Sequence, residues 1–118
     1  MKYVVAHRGL SSKAPENTFD SFDLAISTGS KYIEFDVHLS KDNEVVIIHD
    51  DTVDRTSNGE GKVNSKSLEE LKKLDFGSWF SSNYTGAKIP LLKDVLNKYR
   101  DISFVIEIKG NQEYLVQK

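Results

Sequence analysis

The chain has no cysteine, which excludes disulfide bridges and thiolate metal sites and leaves oxygen and imidazole as metal donors. It has no excess of one charge sign: 16 Lys and Arg stand against 18 Asp and Glu, a formal net charge of -2. No nucleic-acid partner is therefore expected, and no acidic tail signals disorder. Long apolar runs are missing too. The stretch before His7 and Arg8 is too short for a signal peptide or a membrane span, so a soluble, cytoplasmic protein is expected. Internal repeats and low-complexity segments are absent. With 118 residues and 38% hydrophobic content, the chain can form a single core with nothing left over for a second domain.

What is present is a pair of carboxylates one residue apart, Glu34 and Asp36, inside the apolar strand pattern YIEFDVHLS. Alternate side chains of an extended chain share a face. Tyr32, Glu34, Asp36 and His38 therefore point one way, and Ile33, Phe35 and Val37 the other, where helices can cover them. Two acids so close are costly unless something positive lies between them, and a hard divalent cation is the obvious candidate.

The order of elements is α/β. Tyr3 to Ala6 read as a buried strand ending at His7-Arg8, and a helix is expected from about Thr18 with Gly29 at its C-terminal cap. After the acidic strand comes a turn at residues 41–44, then the run Val45 to Ile48, which ends in His49-Asp50. A connection that short makes the two strands antiparallel. Residues 50–89 form an excursion rich in Ser, Thr, Asn, Asp and Gly, with one helix starting at the capping box Ser67 to Glu70. An aromatic cluster of Phe76, Trp79, Phe80 and Tyr84 follows, in which Trp79 and Phe80 are expected to form the small core of the excursion. Pro90 is expected to open a helix carrying Leu91, Leu92, Val95, Leu96 and Tyr99, and Ile102 to Lys109 to form a strand.

Polar groups cluster where strands give way to loops: His7-Arg8, Glu34-Asp36 and Glu107-Lys109. In parallel α/β folds chemistry is placed at that edge. Glu34, Asp36 and Glu107 supply three oxygen ligands suited to Mg2+ or Ca2+; the structural alternative is acids paired with Arg8 and Lys109. His7 and His49 can act as general acid and base, or as hydrogen-bonded structural residues. His38 lies further into the turn and reads as a bystander. Arg8 and Lys109 suit a phosphate, Arg8 as a forked donor and Lys109 as a point charge. Glu16 and Asn17 have the bland role of acceptors at a helix N-terminus.

The segments HRGLSSKAPENT, IEFDVHLSKDNEVVIIHDDTVDRTSNGEGKV, LKKLDFGSWF and VIEIKG together resemble the glycerophosphodiester phosphodiesterases over nearly the whole chain. The resemblance implies a TIM (β/α)8-barrel fold and hydrolysis of glycerophosphodiesters to glycerol 3-phosphate and an alcohol, in lipid and glycerol metabolism. It implies His7 and His49 as the catalytic pair, and Glu34, Asp36 and Glu107 as ligands of one divalent cation, Ca2+ or Mg2+. It implies Arg8 and Lys109 as phosphate contacts and Glu16 as a supporting residue. A related phospholipase-type phosphodiesterase and an inactive half-barrel that only binds or assembles are the competing readings.

Barrels of this type run to roughly 250 residues. Residues 1–118 are therefore expected to be the N-terminal part of such a domain, about three βα units of an incomplete barrel with 50–89 inserted. Three strands cannot close a barrel, so the inner faces and the last strand's edge are expected to be exposed, with self-association through open edges. A helix is expected to follow that strand. Lys93, in PLLKDVL, departs from the acid that relatives often carry, at a helix surface position where little changes.

Overall fold

A computed structural model describes residues 5–108 and, for the backbone, 113–117. The strands are β1 (Val5–His7), β2 (Tyr32–Leu39), β3 (Val45–Ile47), β4 (Ser103–Ile108) and β5 (Glu113–Gln117). The helices are α1 (Phe19–Ser27), α2 (Leu68–Lys72) and α3 (Leu92–Lys98), with 3-10 turns at Val63–Ser65 and Ser82–Tyr84. The sheet runs β1-β2-β4-β5, with β1, β2 and β4 mutually parallel. This is the open sector of a TIM barrel that the sequence predicts. No helix among the described residues is long and apolar enough to cross a membrane.

Local chemistry explains the boundaries. Thr18 caps α1 by accepting from the Ser21 N–H while Ser21 returns a bond, and Gly29, at φ 98°, takes the left-handed turn past its end. Ser67 and Glu70 form the expected capping box on α2. As the short turn requires, β3 is antiparallel to β2. Val37 pairs with Ile47 on one side and Ile108 on the other, so β3 continues the edge along which β1 lies.

Two clusters share the interior. Behind the sheet, Ile33, Phe35 and Val37 pack with Phe22 and Ala25 of α1, Val95 of α3, Tyr99, and Phe104 and Ile106 of β4. The second cluster joins Val46, Ile48 and Leu91 to Val53, Val63, Leu71, Phe76 and Ile89 of the excursion. Alternation along β3 divides the two: Val45 and Ile47 serve the first, Val46 and Ile48 the second. Val46 pairs with His38, and directly paired residues share a face. The excursion is therefore built on the face that carries the acids.

Three expectations need correction. α3 begins at Leu92 rather than at Pro90, because Leu91 is held extended in a bridge to Val46 and the Pro90 carbonyl accepts the Ile47 N–H at 3.0 Å. Trp79 and Phe80 are not core. Only Phe76 is buried in the second cluster; Trp79 is 38% exposed and forms a surface row of edge-to-face rings with Phe80 and Tyr84. Among the described residues no helix follows β4: β5 returns antiparallel along it, so the edge of β4 expected to be exposed is covered. Tyr3 and Lys109, assigned to strands from sequence, lie outside the described residues.

Candidate active site

The ladders bring the predicted acids together. His7 is level with Glu34, and Asp36 with Glu107, in parallel register, so these side chains emerge on one face of three neighbouring strands, at the C-terminal ends of β1 and β4 and within β2. Carboxylate oxygens of Glu34, Asp36 and Glu107 lie within 4.8 Å of one another. Asp36 is fully buried, whereas His7 stays mostly exposed at the rim with its Nε2 3.7 Å from Glu34 Oε1.

The loop from β1 to α1 brings cationic and amide groups to this cluster. Arg8 takes φ 59° and Asn17 φ 56°, the left-handed region that side chains avoid at a cost of order 1 kcal/mol. Both residues touch Asp36: Arg8 Nε lies 3.6 Å from Oδ2, and Asn17 Nδ2 donates to the same oxygen at 3.4 Å. The Arg8 backbone is fixed from both sides, donating to the Glu34 carbonyl at 2.7 Å and accepting from the Asn17 N–H at 2.9 Å. Gly9, at φ 78°, lets this loop lie against α1, since a Cβ there would fall 2.3 Å from the Ser21 hydroxyl.

The electrostatics fit a cation. Burial, and then the charge of Asp36, push the Glu34 carboxyl above its ordinary range; the positive charges of His7 and Arg8 oppose this without cancelling it. Glu34 Oε1 is buried and accepts no hydrogen bond. An oxygen-only set of three crowded carboxylates is the donor chemistry of Mg2+ or Ca2+.

His49 enters from the other side, just past β3. Its position follows from Ile48, whose N–H donates to the Asp36 carbonyl at 2.9 Å, and from His38, whose Nε2–H donates to the His49 carbonyl at 3.0 Å. His38 is thus a tether rather than a bystander. The His49 ring itself meets Asp50 through Nδ1 at 2.8 Å from Oδ1. Hydrogen bonds from Arg55, then one from His49, hold the Asp50 carboxyl down at about 2. Arg55 also grips Glu16 through both carboxylate oxygens at 3.0 and 2.9 Å, and Glu16 in turn lies 3.4 Å from Arg8. Glu16 is therefore an ion-pair hub, and the N-cap is Thr18.

Of the residues singled out from sequence, His7, Arg8, Glu16, Glu34, Asp36 and Glu107 converge in one constellation. His49 joins through Asp50, Arg55 and Glu16, while Lys109 lies outside the described residues. Sequence reasoning gave no role to Arg55 and only a capping role to Asn17. Neither sits in a periodic pattern, and Glu16 and Asp36, to which they bond across the site, lie 39 and 19 residues away.

Comparison with known proteins places the chain in a family. Residues 7–117 match the model of the glycerophosphoryl diester phosphodiesterase family. YhdW of Bacillus subtilis is 52% identical over 110 residues, covering 92% of this chain and 45% of that protein. The crystal structure of a glycerophosphodiester phosphodiesterase from Agrobacterium tumefaciens superposes with a TM-score of 0.89 at 43% identity, covering 92% of this chain and 47% of that one. An Oleispira antarctica phosphodiesterase, solved with the product sn-glycerol-3-phosphate, gives a TM-score of 0.85 at 43% identity, with 92% and 45% covered. The chain spans about half the length of the relatives it matches. It belongs to the glycerophosphoryl diester phosphodiesterase family.

Proposed function

We propose that this chain carries the catalytic half of a metal-dependent phosphodiesterase that converts glycerophosphodiesters to glycerol 3-phosphate and an alcohol. The observation that supports it most is the meeting of Glu34, Asp36 and Glu107 beside the accessible His7, in a chain of this family. The product bound by the Oleispira protein is of the same chemical class.

Glu34, Asp36 and Glu107 would hold one divalent cation, Ca2+ or Mg2+. When bound, it neutralises the phosphodiester and acidifies the attacking hydroxyl. Arg8 contacts the phosphate oxygens with its fork, and Lys109 adds a point charge. One of His7 and His49 takes the proton of the glycerol 2-hydroxyl as that oxygen bonds to phosphorus. The other delivers a proton to the departing alkoxide as its P–O bond breaks. Water then opens the cyclic phosphate with the histidine roles reversed, and glycerol 3-phosphate leaves. Glu16 supports Arg8 from behind. Residues 50–89 form an insertion that borders the site. The outer flank of β1 has no strand partner among the described residues, and self-association through that flank completes the proposal.

The test is release of glycerol 3-phosphate from glycerophosphocholine with and without EDTA. Release that EDTA abolishes, and that disappears in His7→Ala and His49→Ala while cation binding persists, supports the reading. No release from a protein that binds the cation tightly would move the function to binding or assembly. Light scattering that gives a folded monomer of 13.4 kDa would remove the self-association.

A further inference from the structure

We propose that Arg55 is a positioning residue that clamps the two loops of the site together and, through Asp50, fixes the proton of His49 on Nδ1 so that Nε2 faces the reacting atoms. The inference rests on the reading of His49 as a catalytic acid or base, and it concerns how that ring is held.

The geometry carries it. One guanidinium makes four hydrogen bonds to two carboxylates: Nη1 and Nη2 to Glu16 at 3.0 and 2.9 Å, Nε and Nη2 to Asp50 at 2.9 and 3.1 Å. Glu16 lies in the loop between β1 and α1, and Asp50 just beyond β3. A planar guanidinium presents a fork to each carboxylate at once; an ammonium, with three N–H groups, cannot make these four bonds. Asp50 stays ionised between Arg55 and His49, and an ionised carboxylate only accepts. The 2.8 Å contact with His49 Nδ1 must therefore be an N–H donating, which leaves Nε2 as the nitrogen that gains or loses a proton.

An aromatic ring flanks the clamp as well. Trp79 of the excursion lies with its ring centroid 5.9 Å from the guanidinium carbon. Its indole N–H is fixed on the Phe76 carbonyl at 3.0 Å, and Phe76 is buried in the second cluster. The excursion thereby reaches the catalytic ring through Trp79, Arg55 and Asp50. A half-exposed ion pair kept only for stability would be worth at most about 1 kcal/mol. A role in ring orientation predicts an effect that stability does not report.

The experiment reads the tautomer of His49 by long-range 1H–15N correlation, at a pH where the ring is neutral, with the signal assigned from His49→Gln. In the unsubstituted chain the proton should reside on Nδ1. In Arg55→Gln the proton should move toward Nε2, the usual preference of a free imidazole, and Arg55→Lys should restore it only in part. Glu16→Gln breaks one arm of the clamp and keeps the other, and should give an intermediate state; it decides the matter if Arg55→Gln does not fold. Nδ1 remaining fully protonated in a folded Arg55→Gln or Glu16→Gln chain would overturn the proposal. The tautomer is read without turnover, so absence of phosphodiesterase activity would count against the functional reading and leave this test intact. Where turnover is present, Arg55→Gln should lower kcat about 10- to 100-fold with KM and cation affinity little changed; a change in KM alone would contradict a positioning role.

Discussion

The two hydrophobic clusters lie on opposite faces of one sheet and are built by different means. The cluster behind the sheet is set by periodicity: alternate residues of β2 and β4 meet a helical stripe, and four rings, Phe22, Phe35, Tyr99 and Phe104, pack at centroid distances of 5.4–6.4 Å. The cluster under the excursion is mainly aliphatic, drawn from a segment with one short helix and isolated turns. Polar side chains hold that segment in shape, with Asp54 accepting from the Gly61 N–H, Asn58 from the Asp75 N–H and Asp75 from the Gly77 N–H. The carboxylates ride on the periodic part. His49 and the Arg55 clamp stand where the two parts meet, so cation binding and proton transfer should respond separately to damage.

The largest expected effect comes from the first cluster. Phe35→Ala removes a fully buried ring between two others and should cost about 3–5 kcal/mol in urea unfolding. Because Phe35 lies between Glu34 and Asp36, cation affinity should fall with stability. Leu71→Ala, fully buried in the second cluster, should cost about 2–5 kcal/mol. Its damage should appear as faster amide exchange confined to the excursion, with cation affinity retained. Equal losses of affinity in the two variants would erase the distinction.

Charge gives smaller effects. Asp50 has its carboxyl lowered from 3.8 to about 2, so the stability it contributes is complete above pH ~4 and lost as pH falls toward 2. With Arg55 half exposed, that contribution should be under about 1 kcal/mol, and Arg55→Gln should flatten the acid limb of a plot of Tm against pH. The smallest effect should be that of Glu34→Gln on the cation-free chain. Glu34 has a raised carboxyl, so its ionised form opposes folding as pH rises through its folded value. The amide should therefore raise Tm slightly at neutral pH and reduce the further rise that Mg2+ or Ca2+ produces. A lower Tm without cation would contradict the crowding of charges.

The same division marks what the sequence made legible. Strand alternation at residues 32–38, the stripe from Phe19 to Ile26 and the capping box at Ser67 are local patterns, and each led to the element found. The acids were visible because two carboxylates interrupted an apolar strand. What stayed hidden depended on distant partners. Leu91 was drawn into an extended bridge with Val46, which moved the start of α3. Trp79, expected in the small core of the excursion, lies over Arg55 instead. Arg55 itself carried no signal, because its meaning comes from Glu16 and Asp50. β5 is the next described element after β4, and only the ladder between them shows that it returns antiparallel.

The central claim is that Glu34, Asp36 and Glu107 form one cation site on the periodic part of the fold. Isothermal titration of Mg2+ and Ca2+ into the chain and into Asp36→Asn tests it most directly. One cation per chain, with binding lost in the amide variant while its backbone spectrum is kept, is the predicted result. Binding that is absent in the original chain, or unchanged in Asp36→Asn, would contradict the account.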